Sequence, residues 1–245
     1  MKIALLGFLL LFVGPAFPDE SAGVPRNSDE IVKWYYRAAE LGNAEAMNAL
    51  GVAHATGWGV PVDPVASLRW FVHAAESGSI AAMSNLGKAY YHGVGVPADF
   101  VEAAKWFAAA ALNGQPDAMN NLGLMYATGR GVVQNHEIAL GLFKRAAEQG
   151  HSVAMKNLSV LYTRGEGVPQ DDVLAFAWLA ASLNAGLPDK KSNSASYSLG
   201  ALGTKLGPKE LARAWKLADE ISAAIHHPGL DQPTTDTASP KTSFF

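Results

Sequence analysis

An all-α solenoid of helix-turn-helix repeats, with about 11 helices, is the fold class this sequence predicts, on three observations. The segment Leu86–Val96, LGKAYYHGVGV, returns 36 residues later as Leu122–Val132, LGLMYATGRGV, and again as Leu158–Val168, LSVLYTRGEGV; an earlier copy is Leu50–Val60, LGVAHATGWGV. On the same period Gly42, Gly78, Gly114, Gly150 and Gly186 fill one column without a break, and Met47, Met83, Met119 and Met155 fill another. Between these marks apolar residues fall at helical spacing, as Met83, Leu86, Gly87 and Tyr90 do at i, i+3, i+4 and i+7. A fixed period of this length means stacked units, none of which buries its apolar side alone.

Residues 1–16, MKIALLGFLLLFVGPA, open the chain as a secretory signal peptide would. Lys2 gives a positive start, Ile3–Val13 is apolar, and Gly14 and Ala16 are the small residues before a cut. The apolar run rises only about 16 Å as a helix, short of a bilayer core of roughly 30 Å. An uncleaved anchor is the alternative. Removing these residues takes one charge, Lys2, and moves the net charge from −3 to −4. The expected destination is outside the cytoplasm, periplasmic or secreted. Residues 17–26, with Pro18, Gly23 and Pro25, read as an unstructured lead-in.

The repeat array spans residues 27–187. Each unit reads as two helices. In the first, Gly51, Gly87 and Gly123 share a column that Ser159 completes. A glycine inside a helix costs about 1 kcal/mol against alanine, so its recurrence implies a neighbour too close for a Cβ. Gly93 ends such a helix in the left-handed conformation, Gly95 turns the connection again, and Val96 plugs the gap between the helices. The second helix opens on a cap: Asn27, Asp63, Asp99, Asn135 and Asp171 hold one register, and Pro64 follows at a position where its missing N–H is harmless. Asp99 with Glu102, and Asn27 with Glu30, have capping-box spacing. Ala103, Trp106, Phe107 and Ala110 form the expected buried stripe, with Trp34, Trp70 and Trp178 in the column of Trp106.

The period fails after Gly186. A turn at residues 188–194, a helix from about Ser192 to Leu206 and a second from Pro208, with Leu211, Ala214, Trp215 and Ala218 at helical spacing, read as a pair that closes the stack within residues 188–226. Residues 227–245 are rich in Pro, Thr and Ser and read as a disordered tail.

Composition narrows the chemistry. Hydrophobic residues are 49% and charged ones 17%, the make-up of a folded chain. The small net charge and the absence of a Lys/Arg block argue against nucleic acid. With no cysteine, disulfides, thiolate metal sites and a lipid-anchoring cysteine are excluded. The histidines show no metal-ligand spacing, and no G-x-S-x-G, S-x-x-K or P-loop is present. His54 stands in a tyrosine column and is expected at the core edge. No catalytic residue, metal or cofactor is expected.

The remaining feature is polar. Asn85, Asn121 and Asn157 recur one residue before the core leucine, with Ala49 in the first unit. At 100° per residue they point away from the core stripe. With His92, Met125 and Arg164 nearby, they are the candidate wall of a groove that holds a partner protein or peptide through backbone hydrogen bonds. The alternative is that these amides serve an adjacent loop or water.

With the AM-x-N-L-G-x-x-Y columns, the G-x-G-V loop, the Asp cap and the A-x-x-W-F-x-x-A-A helix, the chain resembles Sel1-like repeat proteins over about residues 28–187. The related tetratricopeptide unit has a period of about 34 residues and lacks this glycine loop. LGPKELARAWKLADE is similar to the closing helix that follows such arrays. The resemblance implies a right-handed α-solenoid acting as an adaptor or scaffold, in exported bacterial members linked to envelope assembly, cell-wall metabolism and interaction with partner proteins. It also includes a cysteine-rich branch linked to penicillin binding, from which this cysteine-free chain departs. The expected function is therefore a non-enzymatic binding scaffold. A cell-wall-related enzyme or its regulator, and a self-associating architectural element, are the alternatives.

Overall fold

Side-chain oxygens start the second helix of each repeat. Asp63 accepts from the N–H groups of Val65 and Ala66 at 3.0 and 2.9 Å, Asp99 from Val101 and Glu102 at 2.9 and 3.0 Å, Asn135 from Glu137 and Ile138 at 3.0 Å, and Asp171 from Leu174 at 2.9 Å. These bonds satisfy donors that a helix leaves unpaired at its start. The Asp99 capping box is not reciprocal, because the Glu102 carboxylate accepts from Lys105 Nζ at 2.8 Å. That pairing raises the Lys105 pKa, first through the hydrogen bond and then through the charge.

The first helices also carry caps, in a column of four different residue types that the repeat pattern does not mark. Asn43, Ser79, Gln115 and His151 accept from Ala46, Ala82, Ala118 and Ala154 respectively. Each first helix ends at a left-handed glycine, Gly57, Gly93, Gly129 or Gly165. Two residues further on, a Cβ on Gly95 would run into the carbonyl of Pro64, and one on Gly131 into that of Phe100, so the loop lies directly on the start of a second helix.

A computed structural model describes residues 28–186 and 194–226. The expected signal peptide, the lead-in, the Asn27 cap, the turn after Gly186 and the tail at 227–245 lie outside the described residues. Those residues form helices and no strand: α1 (Ser28–Glu40), α2 (Ala44–Thr56), α3 (Pro64–Glu76), α4 (Ile80–His92), α5 (Phe100–Leu112), α6 (Pro116–Thr128), α7 (His136–Glu148), α8 (Ser152–Arg164), α9 (Asp172–Asn184), α10 (Ser194–Lys205) and α11 (Pro208–His226).

The chain divides after Ala98 into two compact units. In the first, α1 packs on α2, α2 on α3 and α3 on α4. In the second, α5 to α9 pack each on the next, and α9 also carries α10 and α11.

Rings and bare backbone hold the hairpins together. A Cβ built on Gly51 would lie 2.5 Å from the ring of Phe71, and one on Gly123 would lie 2.8 Å from that of Phe143. The first helix therefore gives up a side chain so that a phenylalanine ring of the second can rest on it. Phe71, Phe107 and Phe143 are buried, at 7%, 2% and 2% exposure, among alanines such as Ala103, Ala110, Ala139 and Ala146. Trp70, Trp106 and Trp178 are only half-buried, unlike the stripe expected from sequence. Adjacent helical residues are about 100° apart, so Trp106 and Phe107 do not share one pocket. The Trp106 Nε1 group is buried without a hydrogen-bond partner.

In the second unit α10 and α11 bury Ala195, Leu202, Ala214 and Ala218 against Phe176, Leu179 and Ala180 of α9. Trp215 stays 45% exposed and meets Phe176 edge-on, ring centroids 5.1 Å apart.

Candidate functional site

The candidate amides lie on the first helices, and two of them are engaged with the chain itself. In the first unit, Asn85 of α4 donates from Nδ2 to Asn48 Oδ1 of α2 at 2.9 Å. In the second, Asn157 of α8 donates from Nδ2 to Asn120 Oδ1 of α6, again at 2.9 Å. These bonds tie successive first helices together. They leave each donor its own carbonyl oxygen and a second N–H for another partner. Asn121 is half-buried on α6, and Ala49 is half-buried on α2.

The other candidates fall out differently. His92 is exposed at the end of α4, its ring edge-on to Tyr91 at 5.0 Å. Arg164 ends α8 with its side chain 64% exposed and 3.8 Å from Glu166. Met125 does not line a groove: it is fully buried in the second unit. Its column, Ala53, Ala89, Met125 and Leu161, is apolar and buried throughout, which is the sequence signal that identifies it as core.

The residue beside it is the one that faces outward. Val52, Leu124 and Val160 hold a single register, just after the glycine or serine column, and are 41%, 40% and 37% exposed; Lys88 takes that place in α4. Large aliphatic side chains exposed at one repeated position, next to half-buried amides, offer apolar contact and hydrogen bonding together. The helical angle of the column away from Gly51 and Gly123 could have found them.

The histidines are used in the architecture. His54 Nε2 lies 2.9 Å from the Tyr36 hydroxyl, while its Nδ1 is buried without a partner. His151 accepts the Ala154 N–H on Nδ1 at 3.1 Å, so Nε2 carries the proton and donates to Asp117 Oδ1 at 2.9 Å. Burial raises the Tyr35 and Tyr162 pKa values, for Tyr162 with Asp171 adding to it, which makes neither phenol an acid–base group at neutral pH. Among the described residues, no group of three His, Asp or Glu side chains is placed to hold a metal ion.

Hairpins on a 36-residue period, two of them locked by a phenylalanine ring on bare glycine backbone, define an all-α repeat protein of the solenoid class. The Sel1 repeat matches residues 6–43, 44–79, 80–115, 116–151 and 152–187, and the chain belongs to the Sel1 repeat family. Sel1 repeats mediate protein–protein interaction, and the proteins that carry them are typically non-catalytic scaffolds.

The chain is similar to a solved protective antigen present in uropathogenic Escherichia coli strains, with a TM-score of 0.71 and 28% identity over 86% of this chain. It spans 46% of that protein's length. It is also similar to a Sel1 repeat protein from Oxalobacter formigenes, with a TM-score of 0.69 and 30% identity over 87% of this chain and 82% of that one. An immunity protein from Pseudomonas aeruginosa, at 20% identity and a TM-score of 0.50 over 87% of this chain and 83% of that one, shares the fold. Among curated proteins, none matches the chain in sequence.

Proposed function

We propose that this protein is a non-enzymatic scaffold that binds a protein or peptide partner in the cell envelope or the secreted space. The observation that carries the reading is the outward row of the first helices. Val52 in one unit, and Leu124 and Val160 in the other, stay well exposed at a position where the helix has no packing use for them. Asn85, Asn121 and Asn157 beside that row keep hydrogen-bonding capacity that does not depend on a partner's sequence. Within each unit, exposed aliphatic side chains beside amides fit recognition of an extended segment or a helix better than chemistry on a small molecule.

Export is supported by the sequence of residues 1–16, from Lys2 through the apolar run to Gly14 and Ala16. No helix of the described residues is long and apolar enough to cross a membrane. Fusing residues 1–26 to an alkaline phosphatase without its own leader tests the destination. Activity in intact cells is expected, and an inactive cytoplasmic fusion rules the location out.

The scaffold reading is tested by using the chain as bait in its native cells, beside Val52→Asp and Leu124→Asp variants. Both variants should keep the wild-type melting temperature and lose the captured partner. Retention of the same partner by both would contradict the reading.

A further inference from the structure

In the last repeat both members of the ring-on-glycine pair change. Ser159 stands in the column of Gly51 and Gly123, and Leu179 in that of Phe71 and Phe143. Both line an open cleft of about 320 Å³ between α8 and α10, within the second unit. The cleft lies where a branched aliphatic residue replaces a ring and where α10 no longer follows the repeat.

Its chemistry is divided. Leu179 and Leu202, 3% and 6% exposed, form an apolar floor that Val160 extends outward. Lys156, Arg164 and Lys205 stand on its walls, and none of the described residues that line it is Asp or Glu. Arg164 lies 3.8 Å from Glu166 at the edge of the cleft, and Lys205 stands exposed on the α10 side. The Thr163 hydroxyl donates to the Ser159 carbonyl at 2.7 Å within α8, and Tyr197 and Ser198 of α10 add hydroxyl groups to the opposite wall.

We infer that this cleft receives an acidic peptide segment of the partner protein, with a bulky apolar side chain on the floor and flanking carboxylates against Arg164 and Lys205. The inference rests on the scaffold reading and deepens it by naming the partner's chemistry. Cations around an apolar floor attract an anionic segment, hold its register, and reject a basic or neutral one. The apolar anchor supplies the contact that excludes water.

The test is fluorescence anisotropy of the full-length chain with a labelled peptide, Gly-Ser-Asp-Glu-Leu-Phe-Asp-Glu-Ser-Gly, and its twin carrying Asn and Gln for Asp and Glu. Saturable binding of the acidic peptide is expected, with the twin weaker by about tenfold or more and binding falling as salt rises from roughly 50 to 500 mM. Ser159→Gly with Leu179→Phe restores the pair found in other repeats, should keep the helix content, and should abolish binding by filling the cleft. Lys205→Glu, on an exposed side chain, should weaken binding about tenfold without touching the fold, and decides the matter if the double variant does not fold.

Equal binding of the two peptides, no binding of the acidic one, or undiminished affinity in both variants would overturn the inference. Leu124→Asp lies outside the cleft. Loss of the captured partner in that variant, with no peptide binding to the wild type, would leave the scaffold standing and remove the acidic segment.

Discussion

The second helices of the repeats and the first helices share a length and a period, yet they are constrained differently. α3, α5, α7 and α9 all begin on Asp or Asn and bury an alanine-rich face, led by Phe71, Phe107 and Phe143 in the first three. α2, α4, α6 and α8 begin on four different residues, Asn43, Ser79, Gln115 and His151, and their outward register holds Val52, Lys88, Leu124 and Val160. The contrast teaches where the freedom lies. Columns pinned by packing stay small or apolar, as Ala53, Ala89, Met125 and Leu161 do, whereas the outward column also admits the charged Lys88.

The largest effect that would break this contrast is in the core. Phe143→Ala should cost about 3–5 kcal/mol in urea unfolding, because the ring on Gly123 is lost and α6 and α7 close on the gap only in part. An outward substitution of similar size, Leu124→Ser, should change stability by less than about 0.5 kcal/mol in the same assay. Equal losses would erase the distinction between the two kinds of column.

Next come the links and caps. Removing the Asn48–Asn85 bond with Asn85→Ala should cost roughly 0.5–1.5 kcal/mol. A double-mutant cycle with Asn48→Ala should recover most of that as coupling; no coupling would make the bond incidental. Asn135→Ala should cost about 1 kcal/mol, equally at neutral and acid pH, since an amide cap carries no charge.

The smallest effect is pH-dependent. The Asp63 carboxyl is held below its usual range first by the Ala66 N–H, which outweighs the opposing effect of desolvation, and then by the Val65 N–H, with Arg69 and His54 adding to it. A depressed carboxyl stabilises the fold above the unfolded value of about 3.9, and that contribution is lost as pH falls through the lowered folded value. The gap between the parent and Asp63→Ala in urea midpoint should therefore narrow on acidification below about pH 4. A gap constant down to the most acid pH at which the chain stays folded would deny that the charged cap acts there.

The period, the hairpins and the second-helix caps were legible because each is set by local chemistry repeated in register. The glycine column also announced a close neighbour, but the sequence did not say that the neighbour is a phenylalanine ring. The first-helix caps were harder to read, since Gln115 and His151 are unusual in that role and the column has no single residue type. Asn85 and Asn157 were placed off the core stripe by helical angle, which says nothing of a bond to Asn48 or Asn120 37 residues earlier. Met125 is core and not groove for a reason that only its column shows: Ala53, Ala89 and Leu161 at the same register are apolar and buried too. The cleft beside Leu179 depends on how α10 meets α8, after the repeat has ended.

The central claim is that bare backbone on a first helix is there to receive a ring, leaving the outward face free for a partner. Gly123→Ala and Gly141→Ala test it directly, through the difference between their urea midpoints. Both substitutions favour helix by about 1 kcal/mol. A Cβ at Gly123 meets the Phe143 ring at 2.8 Å, whereas one at Gly141 meets nothing within 4 Å. Over-packing of about 1–3 kcal/mol should outweigh the helical gain at the first position alone. The account predicts a lower midpoint for Gly123→Ala and a higher one for Gly141→Ala; a rise in both would contradict it.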